Sequence, residues 1–395
     1  MEDKFMEKRF RILTFVLGLT LLAGGCTKTP TNDGEPLNTT INTTNKNDNE
    51  YQCKLDVLNP PAYSTVEMLN LEPGSTISII GRNADDSYWK EVEAGAKQAV
   101  ADINSMLGYK GSDKIKLSYS APHVNNDVDE QVNILDEELG RYPLAVGIAA
   151  IDTSACLVQF DLAAENGIPV VTIDSGSEYK DVVAHVATNN LLAAQTAATN
   201  LATMMNNSGE ILIVTHDSLS TTGIDRQQGF IDTLATISPE LKIVDTYSID
   251  KMEETATTIA FNLMTSSVDA EISVDPSSFT HEDIIKYYIE KHPNLKAIYT
   301  TNLDTTQMVA STLKSKERTD LLFVGYDGGD SQMQLLEDDI ANALIVQNPY
   351  AMGYATIVAA ARSVLDLGNE AFIDSGYIWV TKDNMENPEI KEMLY

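Results

Sequence analysis

From residue 75 onward, short apolar runs alternate with amphipathic stretches, and that alternation leaves few architectures open to the chain. The first series reads as strand 76–82, helix 86–104, strand 114–120, helix 127–139, strand 144–150, helix 154–167 and strand 169–174. Helix 86–104 carries Trp89, Val92, Ala96, Ala99, Val100 and Ile103 on one stripe, the face that a sheet covers. Gly167 and Pro169 stop the helix that precedes the strand PVVTID. A second series starts near residue 189: helix 190–205, strand 210–216, helix 224–237, strand 242–249, helix 254–266, strand 296–302, helix 305–315 and strand 321–327. A short helix 331–338, strand 342–347, helix 349–367 and strand 377–383 follow. Segment 265–283 is acidic, has no clear period and reads as a loop insertion. Strand–helix–strand repeated through two series predicts an α/β fold. It has two doubly wound parallel-sheet lobes with a hinged interlobe cleft, and ligand binds where strand C-termini face each other.

The N-terminus carries Lys4, Lys8, Arg9 and Arg11, then 12 uncharged residues from Ile12 to Ala23. As a helix that run spans about 18 Å at ~1.5 Å per residue. A hydrocarbon core is about 30 Å thick, so the run reads as the apolar part of a signal peptide, residues 1–25. It ends Leu22-Ala23-Gly24-Gly25-Cys26, which resembles a bacterial lipobox with Ala23 where leucine is commoner. Cys26 is then the lipidation site, and a lipid anchor is the only membrane attachment expected. Residues 27–50 are polar and aperiodic, and residues 51–74 are broken by Pro60-Pro61 and Pro73-Gly74. The lipidated cysteine and a disordered tether together span 26–74. The expected location is extracytoplasmic, on the outer face of the cell membrane or in the periplasm.

Charge and side-chain chemistry exclude several classes of function. The chain has 58 acidic and 27 basic residues, a net charge of −31, which opposes binding to nucleic acid or to anionic lipid through charge. Cys26, Cys53 and Cys156 and the scattered His123, His185, His216, His281 and His292 show no zinc spacing. Cys156 reads as a buried thiol; whether it pairs with Cys53 stays open. No dinucleotide glycine motif, P-loop or nucleophile elbow is present. His216-Asp217-Ser218 ends a strand, but three adjacent residues cannot form a proton relay. No catalytic residue, no cofactor and no metal is expected. Residues 27–74 also lack the basic helix-turn-helix that a repressor needs.

Seven landmarks recur in order: SYWKEVEAGAKQA, ENGIPVVTIDS, HVATNN, DRQQGF, IYTTNLD, VGYDG and ALIVQNP. Over residues 75–395 they resemble the type I periplasmic binding proteins, in the sugar-binding branch typified by the ribose- and galactose-binding proteins of ABC importers. The resemblance implies cleft residues Asp86, Tyr88 and Trp89 after the first strand, and Asp174 and Ser175 after PVVTID. It also implies Asn190, Arg226 (with Gly229 and Phe230 behind it), Asn302, Asp327 and Gln347. Carboxylates and amides can serve a fan of sugar hydroxyls, an arginine adds a rigid fork of donors, and aromatic rings pack on C–H faces. Trp89 also fits the core stripe, Asp327 could cap a helix, and Arg226 could pair with Asp225 or Asp232. Ser175 stands where ribose-binding relatives carry arginine, which removes a donor fork. Asp86 replaces a common asparagine and makes the cleft more acidic.

The resemblance further implies crossovers near Thr188, Asn348 and Ser375. The N-terminal lobe is then 75–188 plus 348–375, and the C-terminal lobe 189–347 plus 376–395. The implied function is capture of a small polar solute, in the first instance a monosaccharide, for an ABC permease by closure of a monomeric receptor. The alternative is a signalling receptor for a sugar, nucleoside or autoinducer-like ligand that acts on a sensor kinase or chemotaxis partner.

Overall fold

The computed structural model describes residues 51–266, 273–318 and 320–395. The chain first lays down α1 (Gln52–Leu55), β1 (Thr76–Ile80), α2 (Ser87–Leu107), β2 (Lys116–Ser120), α3 (Val128–Leu139), β3 (Val146–Ile148), α4 (Leu157–Glu165), β4 (Val170–Ile173) and β5 (Ala184–Ala187). It continues with α5 (Asn190–Met204), β6 (Gly209–Thr215), α6 (Thr221–Ile237), β7 (Leu241–Ser248), α7 (Met252–Ser266), α8 (His281–Lys291), β8 (Leu295–Thr300), α9 (Leu303–Lys316), β9 (Leu322–Tyr326), α10 (Asp330–Glu337) and β10 (Ala343–Gln347). The last elements are α11 (Pro349–Val364), β11 (Phe372–Asp374), β12 (Tyr377–Val380) and α12 (Pro388–Lys391).

Two sheets result, in the orders β11-β5-β4-β3-β1-β2 and β12-β10-β9-β8-β6-β7. Every pairing is parallel except β10 with β12. Helices cover both faces, so β3, β4 and β10 are buried at every position. This is why those strands read as continuous apolar runs rather than alternating ones.

Asp86 caps α2 by accepting from the Tyr88 amide at 2.7 Å, and Gly108 ends the helix in the left-handed region at φ 69°. The buried face of α2 meets α11 at unusually close range. A Cβ on Gly95 would lie 1.9 Å from the Tyr350 carbonyl oxygen, and one on Gly353 would lie 1.9 Å from that of Val92. Only glycine at both positions lets the two backbones touch.

The chain passes between sheets three times: after β5 through Thr188, after β10 through Asn348, and between β11 and β12 through Ser375. Asp374 ties two of these together, its Oδ1 accepting from the amides of Asn189 (3.2 Å) and Gly376 (2.9 Å).

Two expectations need correction. Residues 51–74 are not a tether. Leu55, Leu58, Tyr63, Leu69 and Leu71 are each at most 2% exposed and belong to the core of the first sheet. Their spacing follows an irregular path rather than a helix or strand, so no period betrays them. The rest of the tether, Cys26 and the signal segment lie outside the described residues. The second correction concerns the stretch read as an insertion. After α7, residues 273–280 are irregular but for one short turn at Pro276–Ser278, and α8 then begins at His281. Thr280 and Asp283 form a capping box, and Ile284, Ile285 and Ile289 are buried. That pattern was legible and was missed. Strands β5 and β11, with four and three residues, are too short for periodicity to reveal. Among the described residues Cys53 and Cys156 are not joined by a disulfide.

Candidate functional site

The C-terminal ends of the strands in both sheets point toward one gap, and the loops and helix starts that follow them fill it with polar groups. A cavity of about 70 Å³ lies there, lined by Arg82, Asp86, Tyr88, Trp89, Asn125, Asn126 and Asp174 from the first lobe. The second lobe lines it with His216, Thr222, Arg226, Asn302, Leu303, Asp304, Asp327 and Gln347. Each arrives there for a local reason. Asp174 and Asp327 follow β4 and β9 in left-handed backbone, at φ 57° and 73°, which swings each carboxylate out of the strand line. Asn302 caps α9 by accepting from the Thr305 amide at 2.9 Å.

On the second-lobe wall, Arg226 is 2% exposed and fully oriented. Its Nε donates to Asn190 Oδ1 (2.8 Å), Nη1 to the Thr301 carbonyl (2.7 Å) and Nη2 to Gln347 Oε1 (2.6 Å). The guanidinium lies 4.5 Å from the Tyr326 ring centroid. Three of its five N–H groups are engaged by neutral oxygens, and the side chain lines the cavity. Gln347 passes the order on, its Nε2 donating to Asp327 Oδ1 at 2.8 Å. Burial pushes the Asp327 carboxyl up to about 6, against the pull of Arg226 and with the repulsion of Asp86 and Asp174.

On the first-lobe wall, the Tyr88 hydroxyl donates to Asp174 Oδ1 at 2.8 Å. The rings of Tyr88 and Trp89 meet edge-on at 5.2 Å. Trp89 is 6% exposed and belongs to the core, and part of it also lines the cavity. Asp86 has its carboxyl raised, chiefly by burial, while also capping α2.

Of the ten residues singled out from the sequence, eight line the cavity. Asn190 and Ser175 stand one layer back. Asn190 holds Arg226, and Ser175 Oγ accepts from Arg82 Nη1 at 2.8 Å. Arg82 was missed. It stands two residues beyond the end of β1 and brings a guanidinium to Ser175 from a strand end one strand removed from β4. Asn126 Oδ1 steadies it, accepting from Nη2 at 2.7 Å. His216 was also missed as a wall residue. Its Nδ1 lies 2.8 Å from Thr301 Oγ1, and burial depresses its basicity, which keeps the ring neutral. Both residues stand just beyond strand ends, and strand ends were the signal that should have found them.

The two lobes touch around the cavity. Arg82 Nη2 meets Asp217 Oδ2 at 3.3 Å, Asn125 Nδ2 donates to Asp304 Oδ2 at 2.9 Å, and the Gly176 amide donates to Thr221 Oγ1 at 2.9 Å. Although burial opposes ionisation of Asp217, the adjacent His216, the Arg82 guanidinium and two hydrogen bonds from Ser220 together outweigh it and hold the carboxyl below the usual range. This is the geometry of a closed cleft.

The profile of the periplasmic binding protein domain matches residues 77–280 and 268–369. A D-apiose import binding protein of Actinobacillus succinogenes is 25% identical over 256 residues, 64% of this chain and 70% of its own length. A ribose import binding protein of Salmonella typhimurium is 20% identical over 304 residues, 76% of this chain and 88% of its own. Among solved structures, a carbohydrate transporter solute binding protein from Agrobacterium radiobacter in complex with D-arabinose superposes with a TM-score of 0.65. It is 26% identical and covers 81% of this chain and 99% of its own.

Proposed function

This chain belongs to the periplasmic binding protein family, and we propose from that premise that it captures a small neutral sugar between its lobes and presents it to an ABC permease. One observation carries the reading. Arg226, Asp174, Asp86 and Asp327 converge on a single interlobe gap beside Tyr88 and Trp89, with hydrogen-bonding capacity left over. A sugar ring offers hydroxyls at its edge to such groups and C–H faces to such rings. Each charge-assisted hydrogen bond contributes roughly 1.5–3 kcal/mol. Three or four of them, after ordering costs, support micromolar capture at about −8 kcal/mol.

The moving bodies are 51–188 plus 348–375 and 189–347 plus 376–395, the first enlarged by the buried segment 51–74, turning about Thr188, Asn348 and Ser375. Ligand favours closure because only the closed form offers both walls at once. The protein acts as a monomer without chemistry, outside the cytoplasm, tethered through lipid on Cys26. Among the described residues no helix is long and apolar enough to cross a membrane, and no three His, Cys, Asp or Glu side chains are grouped to hold a metal ion.

The test is a thermal-shift screen of the full chain with D-apiose, D-ribose, D-arabinose and common hexoses, followed by calorimetry on any that raise the melting temperature. A reproducible rise with one sugar, lost in Arg226→Ala, supports the reading. No rise with any neutral sugar overturns it.

A further inference from the structure

Tyr395 lies far from every motif that marks the cleft in the sequence, yet it contacts one residue on each of the cleft's two walls. Its hydroxyl donates to Asp327 Oδ1 at 3.2 Å, the same oxygen that accepts from Gln347 Nε2. No donor among the described residues reaches Asp327 Oδ2, so that oxygen remains for the cavity. The Tyr395 amide donates to the Gly328 carbonyl at 3.2 Å, which fixes the residue to the loop that carries Asp327. Its ring meets that of Tyr88 edge-on, centroids 5.9 Å apart at 73°. Tyr88 belongs to the opposite lobe and donates to Asp174. Tyr395 itself is half-buried and packs against the cores of both lobes.

We propose that Tyr395 is a positioning residue of the solute site: it fixes which oxygen of Asp327 faces the guest, and it braces Tyr88 when the lobes meet. The inference rests on reading the cleft as a sugar site. It adds a residue that touches no solute and acts through two that do. Its two contacts differ in kind. The bond to Asp327 lies within one lobe and survives opening, whereas the ring contact with Tyr88 spans the gap and exists only on closure. Tyr395 therefore presets one wall and senses the arrival of the other.

The charged and titratable groups facing Asp327 are Arg226 on α6, Asp86 and Tyr88 at the start of α2, Asp174 after β4, Tyr326 on β9 and Tyr395 itself. Of these only Tyr395 donates a hydrogen bond to the carboxylate, and such a bond favours the ionised form.

The experiment follows the Asp327 carboxyl in the full chain by carbon-13 NMR as pH is varied, with the signal assigned through Asp327→Asn. Tyr395→Phe keeps the ring and removes the donor, and the Asp327 midpoint should rise by roughly half a unit to one unit. An unchanged midpoint overturns the positioning role, and this arm needs no ligand. Calorimetry with D-arabinose supplies the second arm. Tyr395→Phe should weaken binding roughly threefold to tenfold near pH 6 and less near pH 8, where Asp327 is ionised in either protein. Equal affinity at both pH values overturns the proposal. If the unmodified chain binds no sugar at all, the proposed function falls, and the Asp327 titration still decides the role of Tyr395.

Discussion

Arg82 of the first lobe reaches Asp217 of the second, Nη2 to Oδ2 at 3.3 Å, with their side chains only 8% and 10% exposed. The pair forms only when the lobes are together. Opening the cleft returns both charges to water, so breaking the pair from one side should favour the open form. A buried carboxylate that loses its cation is costly, on the order of 3–5 kcal/mol when it stays buried. Arg82→Met should therefore enlarge the radius of gyration of the ligand-free protein in solution scattering and weaken sugar binding about tenfold or more. A radius identical to that of the unmodified chain would refute this role for the pair.

Arg226 makes a sharper case, because its fork is shared among three protein oxygens and the side chain also lines the cavity. Arg226→Lys keeps the charge and loses the planar geometry. It should weaken solute binding by at least tenfold, nearly as much as Arg226→Ala, as read by calorimetry. Near-normal affinity in the lysine variant would show that charge alone suffices.

The Asp327 carboxyl, held up near 6 by burial, gives the site a pH dependence of defined sign. Its folded value lies above the ordinary 3.8, so the folded state holds this proton more tightly than the unfolded chain. That contribution to stability is full below about pH 4 and fades as pH rises through about 6. Solute binding runs the opposite way, since sugar hydroxyls donate best to the ionised carboxylate. Affinity should rise between about pH 5 and pH 7, and Asp327→Asn should flatten that limb at a lower overall affinity. Calorimetry across this range checks both statements.

Close contact between α2 and α11 predicts a stability effect far from the cleft. Gly353→Ala places a methyl group where the Val92 carbonyl oxygen sits 1.9 Å away, and backbone cannot yield as a side chain can. The helices must separate, at a cost of about 3 kcal/mol or more. Urea unfolding should show a lowered midpoint, whereas Gly108→Asn, at a helix end with open space around it, should change it little.

Leu58 tests whether residues 51–74 are part of the body. It is 2% exposed within the core of the first sheet, so Leu58→Ala should cost about 2–4 kcal/mol in the same unfolding assay. A change within error would return the segment to the status of a tether.

The alternation of apolar runs was enough to read two parallel α/β series, because a parallel strand buried on both faces leaves an unbroken apolar word and its crossover helix leaves a stripe. The family resemblance, matched motif by motif, then named Asp174, Asn302, Asp327 and Gln347, which stand at strand ends and line the interlobe cavity. The placement of Arg82, Asn125, Asp217 and Tyr395 was decided only by the tertiary structure. These residues meet across gaps of 135 positions for Arg82 and Asp217 and 179 for Asn125 and Asp304, and no local period encodes a contact of that range. Residues 51–74 were misread for the same reason: their leucines answer to the core of the first sheet, against which α11 also packs, not to a rhythm of their own. Local patterns report the faces an element must bury; which side chains meet across a cleft depends on how two separately folded sheets come together.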